Sequence, residues 1–169
     1  PSMDILGNAI PFIKDEEEKV ERETRKILGI LRENSVENLK VEMFVNCCRI
    51  PTKIGHLESV LVELERDFTL EEIFERFESF KGEPQNLHLP TAPERPLIVR
   101  FEEDRPQPEI DSEAGFPERA KGMAVSIGRL RKKGKFLSFF LLVNNLIRGS
   151  AGGSILNAEF AYFKRIIGG

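Results

Sequence analysis

Two side chains able to act on an anionic substrate stand seven positions apart, Arg49 and His56. Arginine presents a planar fork of donors that suits a carboxylate or a phosphate. Histidine is the one side chain that titrates near neutrality without perturbation. Together they suit the binding of an anion and the movement of a proton on it. The residues around them, Val45-Asn-Cys-Cys-Arg-Ile-Pro-Thr-Lys-Ile-Gly-His-Leu-Glu58, read as a strand ending at Arg49, a connection punctuated by Pro51 and Gly55, and a second strand starting near His56. Spacing alone does not make a site. A lone Arg and a lone His near strand ends are more often an ion-pair former and a satisfied hydrogen-bonder.

The chain that must position them has 169 residues, enough for one domain with its own core over 1–169. Hydrophobic residues make up 40% and charged residues 31%, which fits a soluble globular chain and excludes a disordered one. With 25 basic against 28 acidic residues, nucleic acid is not expected as the main partner. Cys47 and Cys48 are neighbours that would point to opposite faces of a strand, so they are read as core thiols and not as a disulfide. They do not supply a zinc pattern, and no metal is expected. A reduced, cytoplasmic setting is the default, with no membrane span and no signal peptide. The start at Pro1, without Met, suggests a fragment or a processed chain.

The periodicities predict the following order. Residues 1–13 are an ordered loop. Asp15 or a neighbour caps a helix to about Glu33, with an acidic first turn and Val20, Ile27, Leu28 and Leu31 on one face. Residues 39–50 and 58–65 are strands. Thr69 and Glu72 form a capping box for a helix to about Phe80. The proline-rich run 83–96 is an extended excursion without helix, 97–101 a short strand, and 102–121 a second long loop. Residues 122–131 and 136–147 pair as a hairpin across Lys132-Lys133-Gly134, the second strand being apolar on both sides. A small, flexible stretch, 148–154, leads to a helix over 154–167. This order gives an α+β fold, with helices on one face of a mixed, mostly antiparallel sheet. A sheet apolar on both faces needs a second cover, and a second copy of the chain stacked on it is expected to form a homodimer.

Several segments, in this order, carry a resemblance: Pro1-Ser-Met-Asp-Ile-Leu-Gly-Asn8, Glu16-Glu-Glu-Lys19, Cys48-Arg-Ile-Pro51 with Gly55-His56, Phe80-Lys-Gly-Glu-Pro-Gln85, Leu89-Pro-Thr-Ala-Pro93, Asp104-Arg-Pro-Gln-Pro108, Gly122-Met-Ala-Val-Ser-Ile-Gly-Arg129 and Asn145-Leu-Ile-Arg-Gly-Ser-Ala-Gly152. Together they resemble the C-terminal part of aspartate-semialdehyde dehydrogenases of the archaeal and fungal type. The resemblance implies a domain similar to the C-terminal domain of glyceraldehyde-3-phosphate dehydrogenase. It also implies reduction of aspartyl phosphate by NADPH, on the route to lysine, methionine and threonine. On this resemblance Arg49 matches the arginine that grips the substrate carboxylate and His56 the acid/base histidine. Glu16 matches the acidic residue near the substrate amine, Lys19 the lysine near the phosphate, and Asn145 the residue near the nicotinamide carboxamide.

The chemistry agrees with those roles. Thiolate attack on an acyl phosphate needs a base nearby, and collapse of the thiohemiacetal needs the same proton handled again. The family's dinucleotide fingerprint and nucleophilic cysteine are absent from these residues, and Cys47 and Cys48 do not match that cysteine. The chain is therefore expected to lack the N-terminal Rossmann domain that binds NADP, and to be inactive by itself. Two other readings are a malonyl- or succinyl-CoA reductase of the same fold, and a non-catalytic dimerisation module. The Glu16–Lys19 pair favours the phosphate-using enzyme, since a CoA ester brings no acyl phosphate.

Overall fold

A computed structural model of the chain describes residues 4–168; residues 1–3 of the expected opening loop lie outside them. The described chain divides into two compact units, one ending at Pro51 and the other beginning at Thr52.

In the first unit, helix α1 (Glu16–Ile27) is followed by a hairpin of two short strands, β1 (Ile30–Leu31) and β2 (Val36–Glu37). The register is Ile30 with Glu37 and Leu31 with Val36, and an Arg32–Glu37 ion pair of 2.6 Å spans the turn. The helix therefore stops six residues before the expected Glu33. Gly29, a poor helix former, follows its last turn, and Leu28 and Leu31 belong to the exit and the hairpin. Asp15 precedes the helix with φ 63° and makes no capping hydrogen bond, so the expected cap is absent there.

Residues 39–50 are not the expected strand. Burial does alternate, with Met43, Val45 and Cys47 half-buried and Phe44, Asn46 and Cys48 exposed. Yet the segment makes one isolated antiparallel bridge, Ile10 with Arg49. Its other backbone ties go to α1: Leu39 N–H to the Arg25 carbonyl at 2.8 Å, and Cys47 N–H to Glu17 Oε1 at 2.8 Å. A period of two reports which face is apolar, not whether a partner strand lies alongside. For the same reason Cys47 and Cys48 are not core strand residues; one is half-buried and the other exposed.

The second unit is built on a four-stranded sheet. Its strands are β3 (His56–Glu63), β4 (Leu97–Arg100), β5 (Val125–Lys133) and β6 (Phe136–Val143), in the order β3-β6-β5-β4. All pairs are antiparallel except β4 with β5. The α+β expectation holds. The hairpin turns at Gly134-Lys135, one or two residues later than expected, and β6 ends four residues before the expected Ile147.

Helix α2 (Leu70–Ser79) starts at the expected capping box: Glu72 N–H donates to Thr69 Oγ1 at 3.1 Å, and Thr69 N–H to Glu72 Oε2 at 3.0 Å. It covers one face of the sheet, with Phe77 edge-on to Phe139 at 5.8 Å and Phe74 against Phe101 at 5.0 Å. Such aromatic pairs add about 0.5–1.5 kcal/mol beyond the area they bury.

The proline-rich run does contain a helical turn, α3 (Glu83–Asn86), because Pro84 lies in its first turn, where the missing N–H costs nothing. The second long loop holds α4 (Pro108–Asp111) and a tight turn at Glu118–Ala120. This loop crosses the other face of the sheet. A side chain at Gly128 would run into the Arg105 carbonyl oxygen, so glycine there permits the crossing. Ser126 and Leu142 on that face are fully buried beneath it. Further along the same face the sheet is open: Leu61 is 68% and Phe136 43% exposed. The stretch 148–154, expected to be flexible, is helical instead: Ile147–Ala151 form a wide helical turn that runs into α5 (Gly152–Phe163), two residues before the expected start. Leu156 of α5 closes a core with Leu89, Ala92, Ala120 and Met123. Burying a side chain of the size of Leu or Met contributes about 1.5–3 kcal/mol.

Candidate functional site

In the first unit the opening turn of α1 carries Glu16 and Lys19 on one side, three residues apart. Lys19 Nζ donates to Glu16 Oε1 at 3.1 Å. That hydrogen bond, then the charges of Glu16 and Glu23, raise the Lys19 ammonium above its ordinary pKa, so it stays a cation through neutral pH. Glu17, between them, accepts the Cys47 N–H. This bond brings the 45–49 segment to the first turn of α1. Two residues beyond Cys47, Arg49 is held through its backbone alone: Arg49 N–H to the Ile10 carbonyl at 2.8 Å and Ile10 N–H to the Arg49 carbonyl at 3.0 Å. Its guanidinium is exposed and makes no ion pair among the described residues. Glu16, Lys19 and Arg49 thus belong to one end of one unit, two of them paired and one available for an anion.

In the second unit His56 opens β3, paired with Val143 near the end of β6, and its side chain is exposed. Glu58 follows on the same face of the strand. Crowding by protein atoms raises its carboxyl above the ordinary value and the charge of His56 draws it back, although its surface remains open. Asn145 lies just past β6, and its Oδ1 accepts the Gly55 N–H at 2.9 Å. His56 and Asn145, 89 residues apart in sequence, therefore stand at the same end of the β3–β6 pair.

Two residues that pattern reading passed over support this end. Asn144 is 1% exposed; its Oδ1 accepts the Leu146 and Ile147 N–H groups at 3.0 and 2.8 Å, and its Nδ2 donates to the Ser112 carbonyl at 3.0 Å. Asp111, 2% exposed, is gripped by one edge of the Arg105 guanidinium, Nη2 to Oδ1 and Nε to Oδ2 at 2.6 Å, and accepts the Gln107 N–H at 2.8 Å. Arg100 Nε lies 2.9 Å from Asp111 Oδ1, close enough to pair as a charge, but its N–H is not aligned for a hydrogen bond. Burial opposes ionisation of Asp111, yet Arg105, the Gln107 N–H and Arg100 together outweigh it and hold the carboxyl below its ordinary range. An asparagine after an apolar strand and an acid in a proline-rich loop carry no periodic signal, so only packing reveals them.

Among the described residues no group of three or more His, Cys, Asp or Glu could hold a metal ion, and no helix is long and apolar enough to cross a membrane.

A family model described as the semialdehyde dehydrogenase dimerisation domain matches residues 1–148. An aspartate-semialdehyde dehydrogenase of Methanothermobacter thermautotrophicus is 45% identical over 162 residues, covering 94% of this chain and 45% of that protein. A malonyl CoA reductase (NADP) of Metallosphaera sedula is 39% identical over 169 residues, covering 98% of this chain and 46% of that protein. The crystal structure of aspartate semialdehyde dehydrogenase with NADP from Candida albicans matches with a TM-score of 0.87 at 30% identity, over 99% of this chain and 48% of that one. The chain spans about half the length of the curated relatives it matches.

Proposed function

This chain belongs to the semialdehyde dehydrogenase dimerisation-domain family, and on that premise we propose that it is the substrate-binding and dimerisation part of an aspartate-semialdehyde dehydrogenase. The reaction is reduction of aspartyl phosphate to aspartate semialdehyde with release of phosphate. Arg49 clamps the substrate carboxylate through two parallel donors. Glu16 pairs with the substrate amine and Lys19 with the phosphate. His56 serves as the acid/base: it takes the proton of a cysteine thiol as the sulfur attacks the acyl phosphate and phosphate leaves, gives it to the oxyanion that hydride addition to the thioester produces, and takes it back as the thiohemiacetal collapses to the aldehyde and the C–S bond breaks. That cysteine, and most of the nucleotide site, belong to parts of the enzyme outside these residues, so the chain alone is inactive. NADPH, when bound, supplies the hydride. Asn145 fits its nicotinamide carboxamide: Oδ1 is occupied by the Gly55 N–H, while Nδ2 has no partner among the described residues and is left to donate.

The observation that carries this reading is the 45% identity along 94% of the chain to a protein of that name. A second reading, reduction of malonyl-CoA, is favoured by the 39% identity to a malonyl CoA reductase. NADPH oxidation by the full-length protein separates the two. Turnover with aspartyl phosphate, and a reverse reaction that needs inorganic phosphate, support the first. Turnover with malonyl-CoA alone overturns it.

The assembly is a homodimer in which two copies stack the open part of the sheet, around Leu57, Ser59, Leu61, Phe136 and Phe140, face to face. What supports it is the family description as a dimerisation domain, together with exposed apolar side chains on a face that the chain's own loop covers only in part. A permanent interface of this kind buries more than about 2,000 Å² in total.

A further inference from the structure

The imidazole of His56 makes no side-chain hydrogen bond to any described residue, so its position is set by the backbone that carries it. That backbone is clamped. Gly55 is buried with φ +101°, and a side chain there would meet Leu142 Cδ1 at 2.9 Å. On its other side the Gly55 N–H donates to Asn145 Oδ1 at 2.9 Å. Asn145 is itself fixed, because Asn144 before it is bonded to the Ser112 carbonyl and to two N–H groups of the following turn. The strand pairing of His56 with Val143 completes the frame.

We propose that Asn145 is the positioning residue for His56: its amide oxygen holds the Gly55 N–H and thereby fixes the backbone from which the imidazole projects. The same amide keeps its NH₂ group for the dinucleotide. One side chain then sets the place of the proton donor and the place of the hydride donor relative to each other. The kinetic part of this proposal rests on the reading of His56 as the acid/base.

Two substitutions in the full-length enzyme separate the two ends of the amide. Asn145→Ala removes both. Asn145→Asp keeps an acceptor for Gly55 and removes the donor. A misplaced catalytic group costs on the order of 10- to 100-fold in rate. Asn145→Ala is expected to lower kcat by that factor with little change in KM for aspartyl phosphate. Asn145→Asp is expected to recover most of kcat while KM for NADPH stays raised. Hydrogen exchange of the peptide containing Gly55 should quicken in Asn145→Ala and stay near wild type in Asn145→Asp. If Asn145→Ala does not fold, Asn145→Leu, close in shape and without an acceptor, takes its place. Equal loss of kcat in the Ala and Asp variants, or unchanged exchange at Gly55 in Asn145→Ala, overturns the proposal. Retained turnover in His56→Ala overturns the acid/base reading instead, and exchange at Gly55 then decides by itself whether Asn145 holds that backbone.

Discussion

Arg49 and His56 are held in opposite ways. Arg49 hangs on one backbone bridge in a unit where, among the described residues 4–51, no residue is buried. His56 is locked by a ladder, by Asn145, and behind that by the buried Asn144 and Asp111. Apolar side chains such as Phe12, Leu31 and Phe44 in the first unit are exposed and contribute little to its stability as it stands. The second unit buries Met123, Leu142 and Leu156 and carries its own core. The difference teaches that the backbone carrying His56 is preorganised by this chain, whereas Arg49 has few local restraints.

The strongest way to break the second arrangement is Asp111→Ala. Removing the buried acid leaves Arg100 without its ion-pair partner and Arg105 with only the more distant Glu102, and costs about 3–5 kcal/mol. Denaturant unfolding of the second unit should show that loss, with the first unit's signal unchanged. The pH dependence follows from the lowered carboxyl. Stability from Asp111 is complete above the ordinary carboxylate range and is lost as pH falls through the depressed folded value. Asp111→Asn, which cannot ionise, should flatten that acid limb; an unchanged limb would show that other carboxylates govern it.

Gly55→Ala comes next. It forces a side chain onto a backbone at φ +101° and against Leu142, at a cost of roughly 1–3 kcal/mol. In the full-length enzyme it should lower kcat more than it raises KM for substrate. His56→Ala should do the same more strongly, and Arg49→Ala should instead weaken substrate binding. Leu61→Glu should convert dimer to monomer in sedimentation while the single chain, in which Leu61 is exposed, keeps its secondary structure by circular dichroism. A Leu61→Glu dimer as tight as wild type would place the interface elsewhere.

The smaller effects sharpen the other side of the comparison. Glu17→Ala removes the carboxylate that accepts the Cys47 N–H and should cost about 0.5–1.5 kcal/mol, detectable as faster hydrogen exchange in residues 45–49 alone. Lys19→Met should leave stability unaltered, since the pair it forms is exposed, yet raise the phosphate requirement of the reverse reaction. Unchanged phosphate dependence would favour the CoA-ester reading.

Much of this was legible in the chain. The capping box at Thr69 and Glu72 needs only residues three apart, and the structure has both bonds. The β5–β6 pair and the start of β3 follow from runs of alternating or continuous apolar residues bounded by glycine, and these local signals survive folding. Residues 39–50 failed because their alternation was genuine but, among the described residues, they pair with no strand beyond the single Ile10–Arg49 bridge. The long helix failed because apolar residues at Leu28 and Leu31 continued the helical spacing past Gly29 into a hairpin. Both errors come from reading a face as if it were a pairing.

The sequence by itself determined the residue types that can do chemistry, the periods of the helices and strands, and the family that these motifs mark. Only the tertiary structure decided which partners those residues have. It joined Asn145 to Gly55 across ninety positions, sank Asp111 between two arginines, and carried residues 102–121 over Gly128. The physical reason is range. Propensity and periodicity act within a few residues, whereas a buried amide or carboxylate is satisfied by whichever donor folding brings beside it, at any distance along the chain.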